Sequence, residues 1–147
     1  MGNNSMIRGF VTKIGIAVLE IDEALPRSKV GMMPESHERW LGLIHGAISD
    51  LAKKDKVPKF EKAMVGIYIT TAVCGKKSQL WDTSNRAINL VINNLKGVFF
   101  PDDNIEHMAF SVVGDVGATA MTRIYIGDFR TQSAQIMELL VVGKTEE

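Results

Sequence analysis

Apolar residues recur along the chain at two spacings, one typical of strands and one typical of helices. Residues 6–21 place Ile, Val and Phe at intervals of two and four, which predicts a strand or a bent hairpin. In residues 63–73 both alternating faces are apolar, which predicts a strand in the interior of a sheet. Two more strands are predicted over 105–113 and 120–127, with the Gly-Asp-Val-Gly stretch between them as a turn.

Helical spacing appears twice. A helix is predicted to begin at Pro34, and its apolar stripe consists of Trp40, Leu43, Ile44, Ala47, Ile48 and Leu51. A second helix is predicted after Asp82, Thr83 and Ser84, which are three good N-cap types, and it should end at Gly97. Its apolar stripe consists of Ala87, Ile88, Val91, Ile92 and Leu95. Residues 132–142 fit either a short helix or another strand.

These elements predict an α+β fold with a single mixed domain over residues 6–147, in which a small β-sheet packs against two main helices. Residues 1–5 are expected to be a disordered tail. The chain shows neither a secretory signal pattern nor an apolar run long enough for a membrane span, so we expect a cytoplasmic protein that does not use a membrane. The single cysteine, Cys74, agrees with a reducing compartment.

The charge balance limits which partners the protein can bind. The 147 residues contain 17 Lys and Arg against 17 Asp and Glu, so the formal net charge is zero. Binding of nucleic acid by bulk charge scales with the number of phosphates neutralised, which excludes a histone-like protein. Any contact with nucleic acid therefore requires a local basic patch.

Carboxylates flank the second predicted helix. Asp82 stands at or just before its N-terminus, and Asp102 and Asp103 follow the loop after its C-terminus. Gathered carboxylates are costly unless a cation compensates them, so their convergence would mark a magnesium site. A helix of about fourteen residues is about 21 Å long, and seven extended residues span about 23 Å. Asp103 can thus return to Asp82 if residues 98–101 run extended and antiparallel to the helix. Otherwise the site is shared across two chains.

The sequence Asp82-Thr-Ser-Asn85, a helix, and then Gly97-Val-Phe-Phe-Pro-Asp-Asp103 resembles the signature of the RusA family of Holliday junction resolvases. That signature is an acidic residue, a second acidic residue followed by Asn, a helix, a Gly, and a paired Asp before a strand. The upstream loop around Pro26, the first helix and the interior strand also follow in the order that the family uses. The similarity covers roughly residues 6–127, and its specific part lies within residues 76–108.

The resemblance implies a homodimer that resolves four-way DNA junctions in recombination and repair, with Mg²⁺, or Mn²⁺ in its place, as the cofactor and no small-molecule cofactor. Asp82 and Asp103 would bind the metal, with Asp102 as an additional ligand, and Asn85 would orient a ligand or the scissile phosphate. The residues expected to contact branched DNA are Arg27, Lys29, Lys76, Lys77, Arg86 and Lys96.

Two positions depart from the family pattern. Ser84 stands where the second catalytic acid is expected, and Ile88 replaces a lysine. A hydroxyl adds no negative charge to a magnesium site. The chain is therefore an enzyme with a weakened site, an enzyme that has recruited Asp102 or Glu106 instead, or a non-cleaving protein of a phage or plasmid replication module that binds branched DNA. A third reading, a small α/β ligand-binding domain, is compatible with the neutral charge.

Overall fold

The computed structural model describes residues 5–26, 33–72 and 86–142. Its strands are β1 (Ile7–Val11), β2 (Ala17–Ile21), β3 (Ala63–Ala72), β4 (Met108–Gly117) and β5 (Met121–Asp128). Its helices are α1 (Pro34–Lys54), α2 (Ile88–Leu95) and α3 (Phe129–Val142). Together they form one five-stranded mixed sheet with three helices, which confirms the predicted α+β class.

The sheet has the strand order β1-β2-β5-β3-β4. All neighbouring strands are antiparallel except β3 and β4, which run parallel from the pair Ala63 and Met108 to the pair Ala72 and Gly117. Parallel neighbours require a crossover, and the connection that contains α2 provides it. The predicted interior strand is confirmed, because β3 lies between β5 and β4 and its first eight residues are buried.

Each face of the sheet has its own core. One face packs against α1 and α2, and its apolar residues include Val65, Ile67 and Ile69 of β3. The opposite face carries Met64 and Tyr68 and packs against α3. This alternation follows from the period of two along a strand. It explains why both faces of β3 are apolar in the sequence.

The helical stripe of the first predicted helix is confirmed. α1 begins at Pro34, and it buries Trp40, Ile44, Ala47 and Leu51 against the sheet. Lys53 and Lys54 occupy its last turn, where positive charge favours the helix dipole. α1 lies so close to β1 that a Cβ atom added at Gly9 would stand 2.1 Å from the carbonyl oxygen of Ala47.

Several boundaries differ from the sequence-based predictions. The chain over 6–21 is a hairpin with a turn at 12–16, and residues 132–142 belong to the helix α3 rather than to a strand. The Gly-Asp-Val-Gly stretch is not a turn, because the parallel ladder with β3 continues through Gly117. α2 has eight residues and begins at Ile88, with Ala87 at its N-cap, so Asp82 is not its N-cap.

The close contact between β1 and α1 gives a stability test. We expect Gly9→Ala to destabilise the protein by about 2–3 kcal/mol, because the new methyl group meets helix backbone that cannot yield without moving α1. Gly42→Ala is the matched control, since nothing lies within 4 Å of its Cβ position and alanine favours a helix by about 0.5–1 kcal/mol. Urea unfolding of both variants checks the prediction, and equal stability of the two would contradict it.

Candidate metal and DNA site

The described part of the candidate site is a tight turn that follows α2. Gly97 has φ of 82°, which favours glycine, and its amide donates to the carbonyl of Phe100 at 2.7 Å. The amides of Val98 and Phe99 both donate to the carbonyl of Leu95, at 3.1 and 3.0 Å. The expected glycine after the helix is confirmed. The extended path over 98–101, which was the condition for Asp103 to return to Asp82 within one chain, is not observed, because the chain turns back on itself directly after α2.

This turn is anchored in the protein interior. Phe99 and Phe100 are both buried in the core beneath α1 and α2. The carbonyl of Phe99 accepts the amide of Phe60 at 2.7 Å, and Lys59 donates its Nζ to the carbonyl of Val98 at 3.0 Å. The two phenylalanines are therefore core residues, and they hold the following Asp102-Asp103 pair at the Ala63 end of β3.

Asp102 and Asp103 are exposed and lie next to a cation. The backbone amide of Asp103 donates to Oδ1 of Asp102 at 2.8 Å, and this hydrogen bond holds the pKa of Asp102 below its usual value. Electrostatic interaction with the neighbouring Lys96 side chain lowers that pKa further. Oδ2 of Asp103 lies 3.7 Å from Nζ of Lys96. Both carboxylates therefore face solvent, and Asp102 is ionised at neutral pH.

The Asp pair leads into β4 through a turn that fixes its position. The amides of His107 and Met108 donate to the carbonyl of Asn104, and the amide of Glu106 donates to its side chain at 2.9 Å. His107 contacts the carbonyl of Glu61 through Nδ1 at 2.7 Å. Neither His107 nor Lys59 belongs to the site predicted from the sequence. His107 holds this turn and Lys59 holds the turn after α2, each through a backbone carbonyl that no sequence motif marks.

The residues present give only part of a magnesium site. Adjacent carboxylate oxygens are suitable ligands, and a divalent cation would compete with Lys96 for Asp103. Within 5–26, 33–72 and 86–142, no three His, Cys, Asp or Glu side chains come together as a metal-binding group. Asp102 and Asp103 thus fit a site that needs another acidic group. The expected partners Asp82 and Asn85 lie outside the described residues.

The basic residues expected to bind DNA are distributed unevenly. Lys96 lies beside the Asp pair, as a phosphate contact requires. Arg86, in contrast, is only 6% exposed, a position that does not suit contact with a DNA backbone. The others, which are Arg27, Lys29, Lys76 and Lys77, lie outside the described residues.

Arg86 connects three segments of the chain. Its Nη1 donates to the carbonyl of Leu25 at 2.8 Å, and its Nη2 donates to the hydroxyl of Thr71 at 2.9 Å. The amide of the next residue, Ala87, donates to the carbonyl of Pro26 at 2.9 Å. Arg86 thereby ties the loop after β2 to the Thr71 end of β3 and to the start of α2.

The two halves of the candidate site enter the described structure at opposite ends of β3. The segment that carries Asp82 and Asn85 rejoins it at Arg86, beside Thr71, whereas Asp102 and Asp103 follow the turn beside Phe60. A strand of ten residues spans about 30 Å, and the eight residues of α2 span about 12 Å. The six residue-to-residue steps from Asp82 to Ile88 span at most about 22 Å. Convergence within one chain therefore requires this segment to run back along α2.

No family model and no curated protein matches the chain. Among solved structures it is similar to the periplasmic domain of Helicobacter pylori MotB (residues 90–256), with a TM-score of 0.41 and 12% identity over 99% of this chain and 93% of that chain. A similarity of this size carries no functional argument. No helix in the described ranges is both long and apolar enough to cross a membrane.

The Arg86 contacts give a second test. We expect Arg86→Met to lower the free energy of unfolding by about 2–3 kcal/mol, because the carbonyl of Leu25 and the hydroxyl of Thr71 lose a charged donor. Arg123→Met is the control, since Arg123 is also largely buried but pairs with Glu20 on β2. Amide exchange of Ala87 should accelerate beyond the global change in stability only in Arg86→Met. Equal acceleration in both variants would contradict the assigned role.

Proposed function

We propose that the protein is a magnesium-dependent, structure-selective endonuclease that acts as a homodimer on four-way DNA junctions in the cytoplasm. The observation that carries this proposal is the turn after α2, which presents two exposed carboxylates beside Lys96 and directly before β4. An interior strand, a helix, a glycine turn and an Asp pair before a strand follow in the order of the resolvase signature. None of the comparisons matches the chain to this family, so the proposal rests on the residues themselves.

Each group has a role that follows from its chemistry. Asp82 and Asp103 would hold magnesium, with Asp102, which is ionised at neutral pH, as an additional ligand. When bound, magnesium supplies positive charge that activates a water and stabilises the charge developing on the phosphate. Lys96 stands 3.7 Å from Asp103, where it can pair with a DNA phosphate once a cation has taken the carboxylate. Asn85 would orient the phosphate, and Arg86 would position the segment that carries it.

A second candidate is a junction-binding protein that does not cleave. Ser84 favours it, because a site with one acid fewer holds a divalent cation less tightly. No complete acidic cluster forms among the described residues. One cleavage experiment therefore has to distinguish the two candidates. A binder would retain junction affinity that falls with salt and does not depend on magnesium.

A synthetic four-way junction tests the proposal directly. With Mg²⁺ or Mn²⁺ we expect paired, symmetric nicks, and we expect Asp82→Asn and Asp103→Asn each to slow cleavage by about two orders of magnitude or more. Asp22→Asn is the matched control, because Asp22 is exposed on the loop after β2. A shifted but uncut junction would favour the binder, and a junction that is neither shifted nor cut would contradict both functions.

Substitution of Ser84 distinguishes an enzyme with a weakened metal site from a protein that binds the junction without cleaving it. We expect Ser84→Asp to restore a carboxylate to the site and so to lower the magnesium concentration needed for half-maximal cleavage by about tenfold. Ser84→Asn is the control, because it adds a side chain of similar size without negative charge. Magnesium dependence of junction nicking should distinguish the two variants. Identical behaviour of the Asp and Asn variants would show that Ser84 does not adjoin the metal.

A further inference from the structure

The two edge strands of the sheet, β1 and β4, differ in how their outer backbone groups are covered. The outer edge of β1 is occupied by carboxylates, because the amide of Gly9 donates to Oδ2 of Asp50 at 3.0 Å and the amide of Val11 donates to Oδ2 of Asp55 at 3.2 Å. The hydrogen bond from Gly9 also lowers the pKa of Asp50, which keeps that carboxylate ionised. Groups that satisfy edge amides prevent the pairing of a further strand. β1 is therefore a closed edge.

The outer edge of β4 lacks such cover. In the parts of the chain that the structure describes, β3 is its only neighbouring strand, and no side chain from another element is bonded to its outer backbone groups. Among the described residues, one β4 amide has a side-chain acceptor: the amide of Val116 donates to the carboxylate of its own neighbour Asp115 at 2.8 Å. Phe110 and Val116 are 51% and 49% exposed. A ten-residue edge strand with open backbone groups and two exposed apolar side chains favours the addition of a strand.

We propose that β4 is a self-association surface, on which β4 of a second copy pairs antiparallel with its two-fold axis at Val113. A two-fold axis normal to the sheet keeps each side chain on its own face, so the axis must pass through a residue of the strand. With Val113 on the axis, Phe110 lies opposite the partner's Val116, and the same pair recurs on the other side. Such aromatic and β-branched pairs stabilise neighbouring strands.

The charge pattern of β4 favours this register. Asp115 is its one charged residue. With Val113 on the axis, Asp115 lies opposite the partner's Ser111, whose hydroxyl can donate to the carboxylate. An axis through Asp115 would place two like charges face to face, and an axis through Gly114 would leave Phe110 beyond the paired residues. The Val113 register is the one that pairs both exposed apolar side chains and separates both charges.

The same register brings the two halves of the candidate site toward each other. Within one chain the Ala72 end of β3 and the Met108 end of β4 are about 30 Å apart along the strands. In the antiparallel pair, the partner's β4 begins two strands away from Ala72, which is about 10 Å. The partner's Asp102 and Asp103 would then adjoin the end from which the segment with Asp82 and Asn85 departs. The β4 interface specifies how the homodimer of the proposed function would form. Only the purpose of the dimer, which is to complete the candidate site, rests on the proposed function.

Self-association without DNA tests the interface. Phe110→Arg and Val116→Arg should each weaken dimerisation at least tenfold in sedimentation equilibrium. Ile105→Arg should leave it unchanged, because Ile105 is 87% exposed but lies outside β4. A monomeric native protein, or equal effects of all three variants, would overturn the proposed interface. Cleavage of a junction is measured separately, so failure of the interface is distinguishable from failure of the nuclease.

A cysteine crosslink tests the register. In a Cys74→Ser background, Val113→Cys should form an intermolecular disulfide on mild oxidation, because opposed residues in antiparallel strands place their Cα atoms about 4.5–5.5 Å apart. Ser111→Cys is the control, since in this register the two copies of residue 111 are about 14 Å apart. A crosslink through residue 113 but not 111 supports the register. A crosslink through 111 alone, or through neither, would overturn it.

Discussion

The structure depends on the pairing of β3, which is parallel to β4 on one side and antiparallel to β5 on the other. Because both of its faces are covered by helices, β3 is apolar on both. The parallel pairing forces the chain to return along the whole strand before β4 begins, and α2 makes part of that return. The same constraint separates the segment that ends at Arg86 from the turn that carries Asp102 and Asp103. The candidate site is thus divided by the topology that stabilises the core.

Two sets of contacts hold the separated ends of the candidate site in place. Arg86 fixes the Thr71 end of β3 by tying three segments together, and Phe99 and Phe100 fix the opposite end by burying the turn after α2. Each end is therefore held by local contacts and does not depend on a bound cation. The open edge of β4 offers a way to unite the ends, since an antiparallel copy places opposite ends of the two sheets side by side. Because the net charge is zero, contact with a DNA phosphate under the proposed function would depend on local groups such as Lys96.

Sequence reasoning predicted the elements better than their ends. Three features follow from the sequence because each depends on local periodicity or on one backbone angle. They are the apolar stripe of α1, the two apolar faces of β3 and the glycine at the end of α2. The start of α2 was missed because Asp82, Thr83 and Ser84 all suit an N-cap, whereas the helix begins at Ile88. The sequence predicts a turn over 114–117, whereas these residues continue β4. Their pairing with β3 joins residues far apart in sequence, so local patterns do not show it. The sequence also predicts a DNA contact for Arg86, because its burial depends on acceptors from distant parts of the chain, the carbonyl of Leu25 and the hydroxyl of Thr71, which leave no pattern in sequence.

The proposed function requires Asp82 and Asp103 to converge on one divalent cation. The most direct measurement is an anomalous difference map from crystals of the protein soaked in Mn²⁺, with the assembly present. We expect a peak within about 2–2.5 Å of carboxylate oxygens from both Asp82 and Asp103, contributed by one chain or by two chains related across β4. A map in which these carboxylates lie far apart in both the monomer and the assembly, with no peak at either, would contradict it.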